Sequence, residues 1–132
     1  MEKINSLTGM TDLIETKADE NVLANKVFQT EKILKEIFTN YAMSEIRTPA
    51  LENTNLFKRS VGDTSDIVNK ELYTFSDKND KSITLRPEGT ASVMRSIIEK
   101  KLDGETHKLW YLGPMWRYER PQKGRYLSLI HI

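Results

Sequence analysis

The chain contains no cysteine, so disulfide bonds and thiolate metal sites are both excluded. It has no apolar run long enough to cross a bilayer, and its first residues, Met1-Glu2-Lys3-Ile4-Asn5, lack the apolar core of a signal peptide. A cytoplasmic protein is the default expectation. Net charge is nearly absent too, at +1 from 20 basic and 19 acidic side chains. Such a balance gives no global steering of an anionic partner, and any basic surface must be local. Histidine is scarce: His107 and His131 lie too far apart in sequence to form a metal motif. Asp63 and Asp66 lie in a loop-like run around Gly62 but have no evident third ligand, so no metal site is assigned. There is no Gly-rich phosphate loop, dinucleotide fingerprint or nucleophile elbow. The 132 residues suit one domain or a piece of a larger one.

What is present is unevenly placed. Five of the seven arginines (Arg86, Arg95, Arg117, Arg120 and Arg125) fall from residue 86 onward. The run from Gly113 to Tyr126 gathers Arg117, Arg120, Lys123 and Arg125 around Glu119, with Pro121 and Gly124 bracketing a turn. Alternation from Met115 to Arg120 predicts an extended strand with Arg117 and Glu119 on one face. Arginine offers a planar fork of donors that matches phosphate oxygens and keeps its charge near neutral pH. This run therefore reads either as a polyphosphate cradle or as a surface hairpin of solvated charges.

The helical spacing of Leu23, Val27, Thr30, Leu34, Ile37, Phe38 and Tyr41 predicts an amphipathic helix from about Asp19 to Tyr41, serving as an oligomer interface or packing on a sheet. Glu45–Thr48 reads as a short strand ended by Pro49. Residues 50–70 look irregular, with Leu56 and Phe57 anchoring a turn. Leu72–Phe75 and Ser82–Arg86 form a hairpin around the polar turn Asp77–Asp80. After Pro87 a second helix follows, with Ala91, Met94, Ile97, Ile98 and Leu102 on one face and Gly104 past its end. A strand is expected over 108–112. Strands joined by hairpins rather than helical crossovers indicate an α+β fold, an antiparallel sheet flanked by helices.

The second informative junction is Arg86–Thr90. Glu88, Gly89 and Thr90 stand where a helix start leaves N–H groups unpaired. Glu88 can accept from a ligand ammonium, Thr90 can add a hydroxyl, and Gly89 lets a ligand approach the backbone. The competing reading is a plain helix cap. Taken with the Arg/Glu hairpin, the pair sketches a site for one ammonium-bearing and one phosphate-bearing ligand, which is what amino-acid activation needs.

These residues resemble a known family. Leu85-Arg86-Pro87-Glu88-Gly89-Thr90-Ala91 resembles the histidine-side signature of histidyl-tRNA synthetases, and Gly113–Tyr126 looks like their motif 2. The helix leading through Tyr41 to Pro49 (about 26–49) looks like class II motif 1, and Leu56–Gly62 and Lys70–Phe75 look like connecting segments. The resemblance implies that residues 1–126 form part of a class II synthetase catalytic domain. It implies that Glu88 and Thr90 hold the α-ammonium of histidine with Gly89 beside it. Arg117 would contact the α-phosphate of ATP, Glu119 the adenine amino group and Arg125 the outgoing phosphates, with Mg2+ bridging the polyphosphate. Further implied partners are tRNA(His) and a second copy of the chain through motif 1. After Tyr126 the run Leu127-Ser128-Leu129-Ile130-His131-Ile132 departs from the family's return strand, and the histidine pocket and ATP site are expected to be incomplete, leaving little ligase activity in this chain alone. The alternative within the same fold is a non-catalytic paralogue such as the regulatory subunit of ATP phosphoribosyltransferase.

Overall fold

A computed structural model describes residues 4–7, 12–16, 22–62 and 71–118 of the chain. The chain divides into two compact units, Met1–Ser44 and Glu45–Ile132.

The first unit is dominated by α1 (Val22–Asn40). Its least exposed positions are Ala24, Asn25, Val27, Phe28, Glu31, Leu34 and Phe38, and all but Asn25 form a stripe at three- and four-residue spacing. The expected stripe is therefore only half right: Val27, Leu34 and Phe38 lie on it, whereas Leu23, Ile37 and Tyr41 are exposed, as is Ile33. The Asn25 side chain exchanges two hydrogen bonds with the Thr16 backbone and fixes residues 12–16 beside the first turn. Ala42 takes a left-handed φ of 55°. Its N–H reaches Thr39 O, and Met43 N–H reaches Phe38 O, a pair of bonds that satisfies carbonyls of the last turn and stops the helix. Asp19, where the helix is expected to begin, lies outside the described residues.

The second unit is built on a three-stranded antiparallel sheet in the order β2–β4–β3, formed by β2 (Leu51–Asn53), β3 (Thr74–Ser76) and β4 (Ser82–Leu85). Its register pairs Leu51 with Leu85 and Thr74 with Thr84. The β3–β4 turn is held by Asp77, whose Oδ1 accepts from the N–H groups of Asn79 and Lys81 at 2.7 and 2.9 Å. This is the side-chain mimicry of a backbone turn that favours aspartate there. A hydroxyl ladder, buried at Thr54 and Thr84, crosses the sheet: Thr84 Oγ1 lies 2.7 Å from Thr54 Oγ1 and 3.2 Å from Thr74 Oγ1, and Thr54 Oγ1 also meets Ser82 Oγ at 2.7 Å.

Residues 51–61 correct the expectation of an irregular segment. They form β2 and then α2 (Thr54–Val61), which packs against the sheet and against α3 (Thr90–Glu99). Asn53 ends the strand and caps the helix, its Oδ1 accepting from Asn55 N–H at 2.9 Å. Phe57 is fully buried on α2 rather than at a turn.

The face of α3 also differs from expectation. Ala91, Ser92 and Ser96 are buried, while Met94 and Ile98 are half or more exposed. The helix ends at Glu99, before Leu102, through Lys101 at φ 56° and the bond from Leu102 N–H to Ile97 O, with Gly104 playing no part in the stop. Arg95 on this helix donates to the buried carboxylate of Glu52 at 2.8 Å and also pairs with Glu99. The bond to Glu52 raises the guanidinium pKa above its ordinary value. The expected strands at 45–48 and 108–112 shrink to β1 (Ser44–Glu45) and β5 (Leu109–Trp110), and Ile46 N–H donates to Trp110 O at 2.9 Å. Among the described residues no helix is long and apolar enough to cross a membrane.

Candidate functional site

The sheet and α3 meet at residues 86–90, the loop that leaves β4 and starts the helix. Any helix start leaves N–H groups without intrahelical partners. Here Glu88 takes two of them: Oε2 accepts from Thr90 N–H at 2.6 Å and Oε1 from Ala91 N–H at 2.9 Å. A carboxylate is also well placed against the positive end of the helix dipole. Of the two readings of Glu88, the cap is thus realised. It does not use up the group, because an ionised carboxylate has about four lone-pair sites and these bonds take two. Glu88 is half-buried and Thr90 exposed, so both side chains remain within reach of a ligand.

Gly89 is explained by a neighbour. A Cβ built on it would lie 2.2 Å from Cε2 of Tyr111, so the ring occupies the space that any other residue would fill. Tyr111 Oη also sits 3.2 Å from Thr90 Oγ1. The freedom at Gly89, expected to admit a ligand, admits this ring.

The extended run after β5 brings the second set of residues to the same place. Trp116 N–H donates to Arg86 O at 3.0 Å and Tyr118 N–H to Glu71 O at 2.8 Å. The alternate donors fit an extended backbone, although 115–118 do not form the expected strand and the pairing there amounts to an isolated bridge at the neighbouring Pro114. Tyr118 meets Tyr73 edge to face, with ring centroids 5.8 Å apart. Half-buried Arg117 turns back to the loop, where its Nε donates to Pro87 O at 3.0 Å. Residues 30 apart in sequence are thereby joined, and Arg117 shares one site with Glu88, Gly89 and Thr90. Glu119 and Arg125 lie outside the described residues, as do residues 127–132. So do Asp63 and Asp66. Among the described residues no three His, Cys, Asp or Glu side chains cluster as a metal site.

Arg86 and Tyr111 belong to this site without having been singled out for a role. Arg86 stood in the signature run, but its contacts reach Thr48 and Pro114. Tyr111 follows Trp110, and neighbours along a strand point to opposite faces; Trp110 is the buried one.

An antiparallel sheet flanked by helices, feeding an Arg-Pro-Glu-Gly-Thr loop into a helix with an arginine folded back from the following extended run, is part of the catalytic fold of a class II aminoacyl-tRNA synthetase. A family model described as Histidyl-tRNA synthetase matches residues 20–131, and the chain belongs to that family. It is 60% identical over 104 residues to the histidine–tRNA ligase of Geobacter sulfurreducens, covering 77% of this chain and 25% of that protein. It is 52% identical over 129 residues to the ligase of Trichlorobacter lovleyi, covering 96% of this chain and 30% of the relative. The chain therefore spans between a quarter and a third of the length of these curated relatives. The crystal structure of apo Staphylococcus aureus histidyl-tRNA synthetase is similar with a TM-score of 0.68 at 42% identity, over 88% of this chain and 30% of that one.

Proposed function

We propose that this chain is the part of a histidine–tRNA ligase that holds the α-ammonium of histidine and the α-phosphate of ATP. The observation that carries the reading is the bond from Arg117 Nε to Pro87 O; it supports reading the 86–90 loop as the ammonium acceptor and the Arg117 guanidinium as the phosphate ligand of one site. Residues 1–126 act as part of the class II catalytic domain, with motif 1 at about 26–49 and motif 2 from 113 to 126.

In this reading Glu88 accepts from the ammonium through its remaining lone pairs, Thr90 adds a hydroxyl, and Gly89 lies between them. A histidine carboxylate oxygen attacks the α-phosphorus of ATP, the new P–O bond forms, and the bond to pyrophosphate breaks. Negative charge accumulates on the α-phosphate oxygens as this happens, and Arg117 stabilises it. One such preorganised donor is worth roughly 100- to 1,000-fold in rate. Glu119 orients the adenine amino group and Arg125 the departing phosphates. Mg2+, when bound with ATP, would offset charge along the polyphosphate. Transfer of the histidyl group to a ribose hydroxyl of tRNA(His) releases AMP. Exposed Leu23, Ile33, Ile37 and Tyr41 on and just after α1 support a homodimer through motif 1 in the cytoplasm. The names of relatives at 60% and 52% identity favour the ligase over a regulatory paralogue.

Calorimetric titration of the chain tests the reading. Binding of L-histidine and of MgATP is expected, with no binding of L-lysine or L-leucine. A folded chain that fails to take up histidine, or fails to take up MgATP, overturns it.

A further inference from the structure

We propose that Arg86 is a positioning residue that aims the Arg117 guanidinium, a role that rests on the reading of Arg117 as the α-phosphate ligand. Arg86 is 9% exposed, yet its partners among the described residues are all neutral. Nη1 donates to both the carbonyl and the hydroxyl of Thr48 at 2.9 Å, Nε donates to Pro114 O at 3.2 Å, and the guanidinium carbon lies 5.9 Å from the Trp116 ring centroid. Burying a cation among neutral groups is costly unless its hydrogen bonds are met. A lysine has no rigid fork with which to reach both segments at once. The backbone repeats the connection: Arg86 N–H donates to Ala50 O at 2.9 Å, and Arg86 O accepts from Trp116 N–H at 3.0 Å.

Arg86 thus ties the 48–50 segment to the 114–116 segment at two levels, and the residues that follow each tie meet one another. Pro87, next after Arg86, supplies the carbonyl; Arg117, next after Trp116, supplies the Nε–H that it accepts. A shift of the Arg86 anchor moves both partners of that bond. Gly113 fits the same scheme. At φ 155°, a Cβ there would lie 2.8 Å from Arg86 Nη2, so glycine keeps room for the guanidinium. Arg86 itself is enclosed, and its Nε and Nη1 donors are directed at protein atoms, so its effect on a phosphate is assigned through Arg117.

The test uses the chain with 15N-labelled arginine, the Arg117 Nε–H resonance being assigned by its loss in Arg117→Lys. In Arg86→Lys this resonance is expected to move and its solvent exchange to accelerate at least about tenfold, with MgATP affinity falling about tenfold, the scale of a lost charge-assisted bond. Thr48→Val, which keeps the carbonyl and removes the hydroxyl, is expected to cause a smaller shift and about a threefold loss. If Arg86→Lys fails to fold, Thr48→Val carries the test. An unmoved Arg117 resonance in a folded variant overturns the inference, as does unchanged MgATP affinity beside a wild-type chain that binds. Absence of MgATP binding by the wild type overturns the functional reading instead, and the resonance still decides whether Arg86 sets Arg117.

Discussion

Two helices in the second unit each follow a strand of one sheet, α2 directly and α3 after the loop 86–89, and their starts are finished differently. At the start of α2 the chain uses Asn53, a neutral side chain with one acceptor bond to Asn55 N–H. At the start of α3 it uses Glu88, a carboxylate that takes two N–H groups and retains lone pairs, beside exposed Thr90 and within a loop to which Arg117 is bonded. An asparagine cap is sufficient to begin a helix. A buried-edge carboxylate carries desolvation cost that a neutral amide avoids. The α3 junction also demands a glycine, because Tyr111 fills the room above residue 89. The first junction serves packing, and the second combines packing with a charge that a cationic ligand can use.

Substitutions can break or sharpen that contrast. The largest effect is expected beneath α2: Phe57→Ala empties a fully buried site and should cost about 3–5 kcal/mol in urea unfolding. If that loss is below about 1 kcal/mol, α2 does not anchor the packing. Gly89→Ala should cost about 1–3 kcal/mol by forcing the Tyr111 ring aside. Adding Tyr111→Ala in the same chain relieves the clash, so the double variant should lose less than the sum of the single ones; strict additivity would show that the ring is not what excludes the Cβ. The smallest effect is expected at the plain cap, where Asn53→Ala should cost about 1 kcal/mol. A null result there would mean that the α2 start needs no side-chain partner.

These regions also differ in how far the sequence discloses them. The hairpin and its turn are legible because Asp77–Asp80 is local chemistry. Residues 51–61 are not, because β2 is three residues long and Leu56-Phe57 breaks any simple period. The buried face of α3 is hidden for another reason: Ser92 and Ser96 are buried because small side chains allow close approach, while Met94 and Ile98 face outward. Polarity alone points the wrong way there. At the site, Arg117 and Glu88 stand out by residue type and setting. The roles of Arg86 and Tyr111 depend on contacts across 38 and 21 residues, which no local pattern encodes.

The central claim is that the α3 start, unlike the α2 start, holds a ligand cation through Glu88. Calorimetric titration of L-histidine into the wild-type chain, Glu88→Gln and Asn53→Ala tests it most directly, with circular dichroism confirming that all three are folded. The account predicts that Glu88→Gln weakens histidine binding at least about tenfold, while Asn53→Ala binds as the wild type does. Equal affinities in wild type and Glu88→Gln, or equal losses in both variants, would contradict it.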